Sequence, residues 1–217
     1  MTNRPLRHCV LLISICTWQI SCNAINEPVP IDYSLEPIVE VSFINGTENT
    51  QLTVNRSQEY YFLLTFNNTG NNNILEDGTR EGWCIDWETP INSNGGVYND
   101  ISLYSTFSVE KWKPLNFLLN IKKQLTDSDP GITHREIQLA IWSLRGFPKF
   151  DLDEIPFQDL PSSMRQGGEP AFNREKVDRI LEIVENGYRD FAFIPGTKFA
   201  VIAETPADVQ TVITVAQ

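Results

Sequence analysis

The stretch Ile132-Thr133-His134-Arg135-Glu136-Ile137-Gln138-Leu139-Ala140-Ile141-Trp142 decides the fold, because it starts the most sharply marked helix in a chain that begins and ends in strands. Thr133 and Glu136 have the spacing of a capping box, in which each side chain satisfies a backbone N–H left open at a helix start. Ile137, Ala140, Ile141 and Leu144 then recur at helical spacing, and Gly146 with Pro148 ends the run. Gln138 falls off that stripe, with His134 four residues before it and Trp142 four after, so the three share a neighbouring face. A glutamine off the apolar stripe is ordinarily solvated.

Working outward, a helix is expected before this one through Trp112, Leu115, Leu118, Leu119 and Leu125, with Pro114 in its first turn. Another is expected after it, capped by Asn173, running through Val177, Ile180, Leu181 and Val184 and stopped by Asn186-Gly187. Residues 148–172 are rich in Pro, Gly and acidic groups and read as a long connection. Strands flank the helices. Val39, Val41 and Phe43 alternate with polar residues, and Tyr60 to Leu64 is a run of strand formers, giving two or three strands over 38–66. Gly82–Trp87 and a short piece of Val97–Phe107 follow, and Phe199–Ala203 and Val209–Val215 close the chain. The expected class is α+β: an antiparallel β-sandwich or barrel with a helical insertion of two to three helices.

Length and charge set bounds. The 217 residues suit one domain with a leader, and 41% apolar residues suffice for a core. A formal charge of −11 argues against a nucleic-acid partner, which needs clustered Lys and Arg. Residues 1–22 read as a targeting segment, with Arg4 and Arg7 ahead of a short apolar run from Val10 to Ile20. Gln19-Ile20-Ser21-Cys22 resembles a bacterial lipobox, which would make Cys22 a lipidated first residue; a plain secretory leader and a retained anchor are the alternatives. Residues 23–37, with Pro28, Pro30 and Pro37, read as a linker, and 38–217 as the domain, in which 38–75 are candidates for added N-terminal strands. The expected location is the cell surface, as an outer-membrane or cell-membrane lipoprotein that meets the membrane only through its lipid.

Of the four cysteines, Cys9 and Cys16 leave with such a leader and Cys22 carries lipid, so Cys84 alone stays in the domain. A lone thiol outside the cell is either a buried apolar residue or a protected reactive group. With His134 the sole histidine outside the leader, neither a zinc site nor any cofactor is expected.

Gly82-Trp83-Cys84-Ile85-Asp86, then Asn116-Phe117-Leu118-Leu119-Asn120, then Gln138-Leu139-Ala140-Ile141-Trp142, together resemble the thioester domain family of bacterial surface adhesins, over roughly residues 78–145. The resemblance implies an internal thioester between Cys84 and Gln138 that couples once to an amine, such as a lysine on a protein or surface target, and is not a turnover catalyst. It also implies Trp83, Trp142 and Asp86 as residues about the bond. Trp87 and Phe107 are further candidate walls against water, and His134 a candidate base. Two other readings stay open: a non-covalent surface binding module with an inert Cys84, and an enzyme using Cys84 and His134 as nucleophile and base.

Overall fold

Alternation governs the first hairpin. In the computed structural model, which describes residues 36–217, β1 (Ser42–Phe43) is followed by β2 (Thr50–Arg56) and β3 (Phe62–Asn67), and the last two pair antiparallel from Gln51↔Asn67 to Arg56↔Phe62. Leu52, Val54, Leu64 and Phe66 are all fully buried, as the two-residue period of a strand with one face inward requires.

β4 (Gly78–Cys84) continues from β3, and β5 (Asn94–Ser105) returns along β2. β8 (Phe199–Glu204) and β9 (Val212–Ala216) complete the ring, β9 on β4 and β8 on the far half of β5. Every neighbour is antiparallel, and the order β5-β2-β3-β4-β9-β8 closes back on β5 as a six-stranded barrel, with β1 an extra strand on β5. The 12 residues of β5 make closure possible, because its first part pairs with β2 and its last four residues with β8. Between β5 and β8 lie α1 (Lys113–Ser128), α2 (His134–Arg145) and α3 (Arg174–Gly187), with a small hairpin of β6 (Arg165–Gln166) and β7 (Glu169–Pro170) before α3. The α+β barrel with a helical insertion is therefore what the chain forms.

Two apolar layers result. Leu52, Val54, Leu64, Phe66, Leu103, Val201 and Val212 fill the barrel, joined by Leu139 and Trp142 of α2. Trp83, Ile85, Ala200, Ile202 and Ile213 face outward from the barrel wall onto Leu115, Leu119, Ile137, Ile141, Ile180 and Val184 of the helices. α2 stands between the layers, so its residues from Glu136 to Trp142 are buried on every side, the pattern of a central helix.

Several sequence expectations shift. Residues 50–67 are no appendage, since β2 and β3 are members of the closed ring. Pro37 is buried, so the linker ends before it. The strand expected over 82–87 stops at Cys84, and the one expected over 209–215 starts only at Val212. The candidate leader, Cys22 and most of the linker lie outside the described residues.

Candidate functional site at the end of β4

Cys84 is the last residue of β4 and is fully buried at one end of the barrel. Because neighbouring strand residues face opposite ways, Trp83 sits in the other layer. There its ring meets Tyr60 at 6.3 Å, Lys122 lies over it at 5.7 Å, and its Nε1 donates to Glu81 at 3.1 Å. Trp83 thus walls the helix layer and not the sulfur.

Above Cys84 the β3 strand has already departed, its last pair with β4 being Phe62↔Gly82. The Gln138 carboxamide supplies what the missing neighbour would. Its Oε1 accepts from the Cys84 N–H at 2.9 Å, and its Nε2 donates to the Cys84 carbonyl at 2.7 Å. Gln138 is fully buried, against the solvated default for its position off the stripe. Its approach is set by the helix start, where Glu136 accepts from the Thr133 N–H and hydroxyl at 2.7 and 2.6 Å and from the Asn173 N–H at 2.8 Å. The capping box therefore fixes α2 and ties it to the start of α3.

The Gln138 carboxamide is thus taken up by the Cys84 backbone, and the thiol hydrogen-bonds elsewhere. Its Sγ donates to Oε1 of Gln210 at 3.0 Å. Gln210 is buried in the turn before β9, where its backbone N–H donates to the Pro90 carbonyl at 3.1 Å and its Nε2 to the Asp86 carbonyl at 2.5 Å. The electrophilic amide carbon lies one bond, roughly 1.2 Å, behind the oxygen that the sulfur touches. Sequence reasoning missed Gln210 because the run from Val209 looks like uninterrupted strand. A signal was there: Gln210, Val212, Thr214 and Ala216 share a period of two, and all four are buried, so a carboxamide stands on the inward face of an apolar strand.

Burial pushes the Cys84 thiol well above its ordinary value, since the thiolate loses its water, and the charge of Asp86 adds to this. Asp86 itself organises the loop after β4, its Oδ1 accepting from the N–H groups of Glu88 and Thr89, both at 3.0 Å. Its side chain shapes the turn while its carbonyl holds Gln210.

A groove of about 980 Å³ is lined in part by Gln210, with Cys84 buried behind it. Trp87, half-buried, forms one wall, with Nε1 donating to the Pro148 carbonyl at 2.9 Å and its ring edge-on to Phe150 at 5.4 Å. Tyr61 forms another, edge-on to the buried Trp142 at 5.6 Å, its hydroxyl 2.7 Å from that of Ser163. Trp142 backs the groove wall from inside. Phe107 takes no part: it is 42% exposed and packs on Phe193 and Phe199. His134 lines the groove half-buried, and burial holds its imidazole below its ordinary value. The thiol is engaged with Gln210 and not with this ring.

Comparison with known proteins adds one likeness. A solved N-terminal thioester domain of the fibronectin-binding protein SfbI from Streptococcus pyogenes aligns over 78% of this chain and 93% of that one, with a TM-score of 0.37 and 13% identity. No family model and no curated protein matches.

Among the described residues, no group of three or more His, Cys, Asp and Glu is placed to hold a metal ion. No described helix is long and apolar enough to cross a membrane.

Proposed function

We propose that this protein is a covalent attachment module in which the acyl partner of Cys84 is Gln210, with Gln138 as the clamp that holds the cysteine backbone still. The observation that carries the reading is the contact of Sγ with the Gln210 carboxamide at 3.0 Å, Gln210 being among the residues that line an open groove.

Atoms balance as follows. The Cys84 sulfur adds to the Gln210 amide carbon, the thiol proton passes to the departing nitrogen, and ammonia leaves, so one C–N bond is exchanged for one C–S bond. An amide resists attack, and holding the reactants in contact can supply on the order of 7–11 kcal/mol. Here the sulfur is anchored at the end of β4 and the carboxamide two residues before β9, the strand paired with it, with Cys84 opposite Val212. A lysine amine entering the groove then attacks the thioester carbon, the C–S bond breaks, and the amine proton goes to sulfur. The raised thiol value favours that last transfer, because a buried thiolate takes up a proton readily. The product is an amide joining Gln210 to the target and a free Cys84 thiol, a single-use reaction. Export to the cell surface, with attachment through a lipidated Cys22, completes the reading.

A second reading has one observation in its favour: the raised thiol value equally suits an inert cysteine in a non-covalent binding module. Intact mass separates the two. A thioester leaves the protein lighter by one ammonia and closed to thiol alkylation until methylamine is added. Peptide mapping after methylamine then locates the adduct. We expect it on Gln210; an adduct on Gln138 would reassign the bond, and full mass with an alkylatable thiol in the unfolded chain would leave only binding.

A further inference from the structure

The groove over Gln210 carries a charge pattern opposite to that of the chain around it. The protein bears a formal charge of −11, yet Arg56 at the end of β2, Arg135 in the first turn of α2 and Arg165 in β6 converge on this one groove from three elements. Among the described residues, none of the three is in an ion pair. The Nε of Arg56 donates to the Ser93 hydroxyl at 3.4 Å and that of Arg135 to the Ser163 carbonyl at 3.0 Å, bonds that orient the guanidinium groups without neutralising them. Arg56 and Arg165 are exposed, so their donors remain open to a ligand. Two carboxylates, Glu88 and Asp159, complete the charged lining, both exposed.

An ammonium ion alone would be repelled by three arginines and drawn only by the two carboxylates. A segment bearing both signs satisfies the whole lining: carboxylates to the guanidinium forks, which bind them in two-point fashion, and an ammonium to Glu88 or Asp159. We infer that the groove selects an acidic polypeptide segment in which the reacting lysine is flanked by aspartate or glutamate. This rests on the Cys84–Gln210 pair being the reactive centre. It adds the chemical class of the partner. The arginines would concentrate such a segment over Gln210, while the rest of the acidic surface turns other acidic chains away.

The test compares three peptides of equal length, each with one central lysine, flanked by aspartates, serines or arginines. Adduct formation with the intact protein is followed by mass. At low ionic strength the aspartate peptide should react faster than the serine peptide by on the order of five- to tenfold, and the arginine peptide more slowly than either. The advantage should vanish near 1 M salt, where the screening length falls to about 3 Å. It should also vanish in the double variant Arg56→Gln, Arg165→Gln, both exposed sites, while methylamine opens the bond as in the parent. Equal rates for the three peptides, or a lead for the arginine peptide, overturns the inference. If methylamine finds no bond to open, the reactive-centre reading has failed instead. Calorimetric titration with the same peptides then decides the charge preference: tighter aspartate-peptide binding, lost in the double variant, upholds the acidic partner, and equal binding removes it.

Discussion

Two glutamines reach one cysteine from different parts of the fold, and they do different work. Gln138 comes from the middle of α2, within the stretch Glu136–Trp142 that is buried on all sides, and both ends of its carboxamide are engaged by the Cys84 backbone. Gln210 comes from a turn beside β9, and its carbonyl oxygen meets the sulfur while its nitrogen is held by a loop carbonyl. Identical side chains thus differ in which atoms of the cysteine they touch: Gln138 holds its backbone and Gln210 meets its sulfur. Under the proposed function the first is a structural grip and the second the acyl partner.

That division can be broken by substitution. Gln138→Leu strands a buried N–H and a buried C=O, each costing about 1–3 kcal/mol when left open, so urea unfolding should show a loss of roughly 2–5 kcal/mol. Gln210→Leu should cost only about 1 kcal/mol while abolishing every trace of amine capture. If Gln210→Leu proved the more destabilising, or retained capture, the roles would be reversed.

Thr133→Ala tests how the grip is aimed. Removing a capping side chain costs about 1 kcal/mol, and the melting temperature should fall accordingly. Methylamine capture should slow without disappearing, because α2 still carries Gln138.

A third measurement sharpens the chemistry of the sulfur. In Gln210→Ala, Cys84 is a free thiol in a dry site whose ionisation burial opposes. Iodoacetamide should therefore label it far more slowly in the folded protein at pH 7.5 than in urea. Equal rates would mean that water reaches the sulfur.

The smallest effect concerns His134, whose imidazole burial holds below its ordinary 6.5. The unfolded chain then binds that proton more readily than the folded one. Stability from the neutral ring is present above about 6.5 and is lost as pH falls through that value toward the lower folded one. His134→Gln should flatten this part of the stability–pH curve between pH 7.5 and 5.5 while leaving methylamine capture intact. Loss of capture in that variant would restore the ring as a base.

The helices were legible in the sequence because their signals are local: the Thr133–Glu136 box and the Asn173 cap both form as their spacing predicts, with Asn173 Oδ1 accepting from the Lys176 N–H at 3.2 Å. The run of strand formers from Tyr60 to Leu64 likewise marked β3, within the two or three strands expected over 38–66. Closure of the ring was not legible, since it depends on β8 finding the last four residues of β5 across nearly a hundred intervening positions, a pairing no short window contains. The burial of Gln138 was hidden for a related reason: an apolar stripe implies one wet face, and α2 has none between Glu136 and Trp142. Cys84 was legible as the reactive candidate and Gln138 as its neighbour, because Gln138 stands in a recognisable pattern; Gln210, which the thiol meets, stands in none.

The distance along the chain between sulfur and carboxamide, 126 residues, has a bearing on biosynthesis. A ribosome delivers Cys84 long before Gln210, and until β9 docks against β4 the thiol has no electrophile at hand. Under the proposed Cys84–Gln210 pairing, the growing polypeptide is therefore harmless to the amines it passes. Reactivity would then arise only when the barrel shuts, making completion of folding the arming step.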